Sequence, residues 1–215
     1  MQFFKINKNI NKYSMNKINL DPKYELIIFD FDNTLCNINS YTSNITLYNI
    51  NENNKTVIVN GIICHISELF NDYYDLLEIF IDLKNKDIKL IIASFGKLEI
   101  ISKLITVAFG TLFDDIITSD NIDEKAQKSI PKISRHIIDM SCPKFYGKNI
   151  MIKVIMNKYN INEASKVIFF DDDYSNFYCS NNIKVYSVNN TKQGITSKLL
   201  IKSIYKLPKK YILIK

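Results

Sequence analysis

The sequence has 215 residues, of which 28 are Lys or Arg and 22 are Asp or Glu, so its formal net charge is +6. This length predicts one compact domain, and the balance of 47% hydrophobic and 23% charged residues excludes a disordered chain and a coiled coil. No apolar run approaches the roughly 18 residues of a membrane span. The N-terminus has no signal-peptide core, so we expect an intracellular, cytoplasmic protein without a membrane partner.

The positive charge is concentrated at the two ends of the chain. Residues 1–20 and 198–215 together hold ten of the 28 basic residues and no acid, so residues 21–197 carry a net charge of −4. We therefore expect a basic N-terminal segment at 1–20, a domain at 21–197 and a basic C-terminal segment at 198–215. Solvated tails are the favoured interpretation of both ends, and contact with nucleic acid is the alternative.

The cysteines and histidines do not form a metal-binding pattern. There is no C-x-x-C pair, and the residues concerned are widely spaced: Cys36, Cys64, Cys142, Cys179, His65 and His136. A zinc site is not expected, and this usage is typical of a reducing compartment.

In chain order, the first predicted element is a buried strand at Glu25–Phe29, an apolar run of Leu, Ile and Phe. Residues 36–66 follow, in which Asn60-Gly61 lies between two apolar runs. Both central residues of a type I′ turn need a positive φ, which Asn and Gly tolerate. This segment therefore predicts a β-hairpin inserted after the first strand, as a small flap.

The rest of the chain alternates between helical and strand patterns. Apolar spacing predicts a helix at Ser67–Lys84 with Ser67 as its N-cap. The later predicted elements are a strand at Lys89–Ala93, a helix at Lys97–Phe109, a strand at Asp115–Thr118, helices near Pro131–Met140 and at Lys148–Tyr159, and strands at Lys166–Phe170 and Ile183–Ser187. This alternation predicts an α/β fold, a Rossmann-like three-layer sandwich around a central parallel sheet.

Polar residues follow three of the predicted strands. Asp30 and Asp32 come after the first strand, Ser94-Phe95-Gly96 after the second, and Asp171-Asp172-Asp173 after the fourth. Ligands of such sheets bind at the carboxyl ends of the strands. Taken singly, each group also has a structural interpretation: a turn for the first, a helix cap for the second and an exposed acidic loop for the third. Gathered together, the carboxylates would repel one another by about 4 kcal/mol per pair at 4 Å, which Mg²⁺ with oxygen ligands would relieve.

With Lys148 near a helix start, these residues resemble the four motifs of the haloacid dehalogenase superfamily. The motifs are D-x-D-x-T at Asp30–Thr34, a serine at Ser94, a lysine, and the acidic pair Asp171-Asp172. Lys144 and Lys153 stay open as alternatives for the lysine. The resemblance spans residues 25–187 and is closest in plan to the small capless magnesium-dependent phosphatases of the superfamily.

The resemblance implies a phosphomonoester hydrolase that works through an aspartyl-phosphate. Asp30 would be the nucleophile, Asp32 the general acid and base, and Lys148 would offset negative charge. Phosphoryl oxygens would be held by Ser94 and the N–H groups of Phe95 and Gly96. The resemblance also implies Mg²⁺ bound by Asp30, the carbonyl of Asp32, Asp171 and Asp172, with Thr34 fixing the first loop and Asn176 orienting the acidic one.

Other functions remain open at this point. An acid two residues after the nucleophile is typical of phosphatases and phosphomutases in this superfamily, and the short flap favours a phosphatase. A polynucleotide 3′-phosphatase that grips nucleic acid with the basic ends is the first alternative, and a catalytically silent binding module is the second. A phosphorelay receiver would have the motifs in the opposite order, and a metal-dependent nuclease would not need Ser94 or Lys148. The substrate is expected to be a phosphorylated small molecule or macromolecule.

Overall fold

The computed structural model describes residues 22–122, 143–173, 176, 183–188 and 194–205. Strands and helices alternate along this part of the chain after an inserted antiparallel unit. They are β1 (Leu26–Phe29), β2 (Ile50–Asn51), β3 (Thr56–Val59), β4 (Ile62–His65), α1 (Tyr73–Asn85), β5 (Lys89–Ser94), α2 (Leu98–Phe109), β6 (Asp115–Thr118), α3 (Pro143–Lys158), β7 (Val167–Asp171), β8 (Lys184–Ser187) and α4 (Ser197–Ile204).

Five of these strands form one parallel sheet in the order β6-β5-β1-β7-β8. Strand β1 is central and all four of its residues are buried, as expected for a strand covered on both faces. The five predicted strands are confirmed to within one residue at each end. Because the strands are parallel, the residues that follow β1, β5 and β7 share one edge of the sheet.

Helices cover both faces of the sheet. On one face, Ile27 and Phe29 of β1 pack in a core with apolar residues of α1, α2 and α4. On the other face, Leu26 and Ile28 pack with Met151 and neighbouring residues of α3. The structure thus confirms the three-layer α/β sandwich with a central parallel sheet. No helix of the described residues is long and apolar enough to span a bilayer.

The predicted flap is present. Asn60 and Gly61 have φ angles of 50° and 82°, so the turn between β3 and β4 has the left-handed conformation that the Asn-Gly pair predicts. Strand β2 adds a third strand, and Val57 is buried in the main core. The flap is therefore packed onto the domain rather than extended into solvent.

Two helix boundaries differ from the prediction. The helix predicted at Ser67–Lys84 is instead a 3₁₀ turn at Ile66–Leu69 followed by α1, and Ser67 is not an N-cap. Asp72 precedes α1 in the left-handed conformation and accepts hydrogen bonds from the backbone N–H and hydroxyl of Ser197, at 3.2 and 3.0 Å. The spacing of apolar residues continues through this position and would predict an unbroken helix. The link between Asp72 and the start of α4 fixes the direction of the chain there instead.

The second difference concerns α3, which begins at Pro143 rather than at Lys148. Proline suits the first turn of a helix because its missing N–H would have no partner there. Lys148 consequently lies inside the helix and not at its start.

Several predictions fall on the remaining residues. The basic segment 1–20, the helix near Pro131–Met140 and residues 206–215 lie outside the described residues. The predicted C-terminal segment 198–215 begins within the domain, because Leu200 and Ile204 of α4 are buried in the main core. The proposed boundaries at 20 and 197 are otherwise predictions.

Candidate active site

Three carboxylates meet at the carboxyl edge of the sheet. Asp30 follows β1, Asp171 ends the adjacent strand β7, and Asp172 is the next residue. Each offers an oxygen within 4.8 Å of the others. We call Asp30, Asp171 and Asp172 the acidic triad. Strand order explains the meeting, since β1 and β7 are hydrogen-bonded neighbours.

Lys148 brings a positive charge into the acidic triad from α3. Its ammonium lies 2.5 Å from Asp30 Oδ1 and 3.6 Å from Asp171 Oδ2, and it donates a hydrogen bond to the carbonyl of Ala93. The side chain is only 2% exposed. Of the two alternatives from the sequence, Lys153 is exposed on the same helix, and the side chain of Lys144 lies outside the part that the structure describes. Lys148 is therefore the lysine that the structure places against Asp30.

Asp32 lies beside the acidic triad, with its carboxylate directed elsewhere. After Asp30 the chain makes a single wide turn at Phe31–Leu35, in which Asn33 has a φ of 57°. The backbone N–H of Ser40 donates a 2.7 Å hydrogen bond to Asp32 Oδ1. Burial raises the pKa of Asp32, and the nearby charge of Asp30 adds to this, while the bond from Ser40 opposes it. Any metal contact of Asp32 through its carbonyl stays a prediction.

Ser94 and Gly96 lie next to Asp32. Ser94 ends β5 with 1% exposure, and its Oγ accepts a 3.1 Å hydrogen bond from the N–H of Gly96. A Cβ placed on Gly96 would be 3.2 Å from Asp32 Oδ2 and 2.9 Å from Cδ1 of Ile101. Only glycine leaves this approach free, so the loop after β5 passes close to the carboxylate of Asp32 at Gly96.

Neutral donors hold the acidic triad in place. The Thr34 hydroxyl donates to Asp172 Oδ1 at 3.2 Å. The Asn176 side-chain amide donates to Asp171 Oδ2 at 2.9 Å, and the backbone N–H of Asp173 donates to Asp171 Oδ1 at 2.8 Å. Thr34 and Asn176 are thus at the positions where they can orient the two acidic loops.

The chemistry of the acidic triad suits a hard cation. Burial, together with the charge of Asp30, raises the pKa of Asp171 to about 7 despite the opposing effect of Lys148. The pKa of Asp172 is raised for the same two leading reasons. Ionised carboxylates in this environment are destabilised, and a dication that prefers oxygen ligands removes both the repulsion and part of the desolvation penalty. The residues present therefore fit a divalent metal such as Mg²⁺.

One contact in this region, between Ser40 and Asp32, was not predicted from the sequence. Ser40 donates its backbone N–H to Asp32 Oδ1, and a hydrogen bond from its side chain also lowers the pKa of Asp32. No local sequence pattern predicts this contact, because it depends on the path of the chain between Asp32 and Ser40.

Comparisons with known proteins give one match that covers most of the chain. The sequence matches the family model described as Acid Phosphatase over residues 22–210. No curated protein sequence matches.

Similar folds occur among solved structures. A haloacid dehalogenase superfamily hydrolase from Ehrlichia chaffeensis is 17% identical with a TM-score of 0.45, and 78% of this chain and 87% of that chain are covered. For 3-deoxy-D-manno-octulosonate 8-phosphate phosphatase from Moraxella catarrhalis, the values are 14% identity, a TM-score of 0.43 and coverage of 84% and 87%. A hypothetical protein from Xanthomonas campestris is 12% identical with a TM-score of 0.40, and 76% of this chain and 62% of that chain are covered. The chain therefore spans less than two thirds of that protein.

Proposed function

Because the chain belongs to the acid phosphatase family of the haloacid dehalogenase superfamily, we propose that it hydrolyses phosphate monoesters with the help of Mg²⁺. The observation that carries this proposal is the buried contact of Lys148 with Asp30 inside the acidic triad, with Asp32 two residues further along the chain. A buried cluster of this kind destabilises a fold, and a chemical role accounts for its presence better than a structural one does.

In the first step, an oxygen of Asp30 attacks the phosphorus of the substrate. The new bond joins Asp30 to phosphorus, and the bond from phosphorus to the leaving-group oxygen breaks. Asp32 gives its proton to that oxygen, so the leaving group departs as an alcohol. The raised pKa of Asp32 supports this role, since a general acid must hold its proton in the free enzyme.

In the second step, water attacks the phosphorus of the aspartyl-phosphate. The carboxylate of Asp32 takes a proton from this water, and the bond between phosphorus and Asp30 breaks to release phosphate. Lys148 offsets negative charge on Asp30 throughout. Ser94, with the N–H groups of Phe95 and Gly96, would hold the phosphoryl oxygens; the Gly96 N–H would first exchange its bond to Ser94 for one to substrate.

Asp30, Asp171, Asp172 and the backbone carbonyl of Asp32 would hold the Mg²⁺. When bound, the ion supplies positive charge that stabilises negative charge on the phosphoryl group.

The substrate is proposed as a phosphorylated small molecule. The polynucleotide 3′-phosphatase alternative depends on the basic ends, most of which lie outside the described residues, and no observation in the described part of the chain favours it.

The deciding experiment is a panel of phosphate monoesters assayed with and without Mg²⁺. We expect metal-dependent phosphate release by the natural protein and its loss in Asp30→Asn. Asp75→Asn, an exposed carboxylate on α1, is the matched control and should keep full activity. Circular dichroism establishes that both variants are folded. Full activity in Asp30→Asn would refute the mechanism, and no turnover on any substrate would favour the silent binding module.

A further inference from the structure

The ammonium of Lys148 contacts three acceptors of the protein. It contacts Asp30 Oδ1 at 2.5 Å, the carbonyl of Ala93, and Asp171 Oδ2 at 3.6 Å. Two of these contacts are hydrogen bonds, to Asp30 and to Ala93, and the third is an ion-pair contact with Asp171. The side chain is 2% exposed, and water that reached the ammonium would compete with these acceptors for its hydrogens.

Two aromatic rings cover the rest of this ammonium. The ring centre of Phe169, a fully buried residue of β7, is 5.8 Å from Nζ. The ring centre of Phe95 is 5.1 Å away, yet Phe95 is 40% exposed whereas Lys148 is 2% exposed. Phe95 therefore extends from the buried ammonium to the protein surface.

Packing alone explains the placement of Phe95 poorly. A large apolar side chain that remains 40% exposed gains only part of the stabilisation of full burial. Its ring face can still attract a cation, because the π system is negative at its face.

We propose that Phe95 is a positioning residue, whose ring keeps water from the pair of Lys148 and Asp30 and so holds Asp30 in place for attack. This inference rests on the proposed function, and it assigns a role to the side chain of Phe95 beyond the backbone N–H contact with phosphate. Excluding water strengthens the attraction between the two charges. A ring at this position acts on Asp30 only through Lys148.

The first test compares the kinetics of Phe95→Leu, Phe95→Ala and Phe95→Tyr on an alkyl and an aryl phosphate. Leucine keeps apolar cover without the ring, and tyrosine keeps the ring. We expect kcat to fall about 2- to 30-fold in Phe95→Leu, the range that loss of a cation–π contact implies, with a larger fall in Phe95→Ala. KM should be nearly unchanged on both substrates, and Phe95→Tyr should keep a higher kcat than Phe95→Leu because it keeps the ring. Tyr48→Leu, at a flap residue that is 99% exposed, is the control and should change nothing.

The second test measures the cover directly and needs no turnover. Limiting acetic anhydride labels lysines according to their accessibility, and peptide mass spectrometry compares Lys148 with the exposed Lys153 on the same helix. We expect slow labelling of Lys148 in the natural protein and in Phe95→Tyr. In Phe95→Ala it should rise towards the rate of Lys153.

The outcomes separate this inference from the proposed function. A natural protein without phosphatase activity would overturn the proposed function and leave the labelling result standing. Unchanged labelling of Lys148 in Phe95→Ala would overturn the shielding role, and faster labelling with unchanged kcat would overturn the positioning role. A loss seen only in KM, and only for aryl phosphates, would show that Phe95 contacts the leaving group instead.

Discussion

Replacing Lys148 with methionine removes a buried ammonium while keeping most of the side-chain volume. At an effective dielectric constant near 20, Coulomb's law gives about 7 kcal/mol of attraction to Asp30 at 2.5 Å and about 5 kcal/mol to Asp171 at 3.6 Å. Desolvation of the three charges opposes most of this gain. Removing one partner of a buried pair costs about 3–5 kcal/mol, because the other charge is left without compensation. We expect that loss in Lys148→Met without metal, which lowers Tm by about 6–20 °C in a domain of this size.

The same variant should bind a divalent cation more tightly. Without Lys148, the repulsion among the carboxylates of the acidic triad is uncompensated, so a cation relieves more of it than in the natural protein. Thermal unfolding with increasing Mg²⁺ measures both effects: the natural protein should gain less Tm from the metal than Lys148→Met does. Phosphatase activity should nevertheless be lost in the variant, because the contact that orients Asp30 is missing.

Lys153→Met is the matched control, since Lys153 is exposed on the same helix and its loss should leave Tm, metal response and activity unchanged. A metal-free Lys148→Met whose stability is within about 1 kcal/mol of the natural protein would refute the reasoning. So would an equal response of both proteins to Mg²⁺.

Three further predictions follow from the site and its surroundings. Gly96→Ala places a Cβ 3.2 Å from Asp32 Oδ2, and we expect steady-state assays to show a kcat lower by about 10- to 100-fold. The pKa of Asp171 is raised to about 7, so the folded metal-free protein keeps a proton that the unfolded chain has lost. Its free energy of unfolding, measured by urea titration, should therefore fall as pH rises from about 4 to about 7, less steeply in Asp171→Asn. Burial raises the pKa of the Cys36 thiol to about 12, so iodoacetamide at neutral pH should alkylate Cys64 in the folded protein and spare Cys36, as peptide mass spectrometry would show.

The fold could be predicted largely from local patterns. Buried parallel strands are short continuous apolar runs, and the Asn60-Gly61 pair requires a tight turn with positive φ, so both features are visible without knowledge of the rest of the chain. The break before α1 could not be predicted this way. It depends on Asp72 meeting Ser197, two residues that are far apart in sequence and have no local signal.

The candidate site shows the same division. Asp30, Ser94 and Asp171 could be placed at one edge because parallel strands end together, and the strand order puts β1 between β5 and β7. The contact of Lys148 with Asp30 required the structure, because it depends on which face of α3 packs against the sheet. The Ser40 contact depends on the path of the chain between Asp32 and Ser40, for which the sequence has no local signal.

The three carboxylates of the acidic triad differ in how many of their oxygens already accept hydrogen bonds. Both oxygens of Asp171 already accept bonds, from Asn176 and the Asp173 N–H. Among the described residues, Asp30 and Asp172 each have one oxygen bonded to a donor, Oδ1 in both cases. Each carboxylate oxygen has two lone pairs, so Asp171 can still hold a cation, while Oδ2 of Asp30 and of Asp172 are the less occupied ligand atoms. Since the negative charge of the acidic triad is destabilising without a counter-ion, the site gains affinity for a dication at the expense of the stability of the metal-free fold.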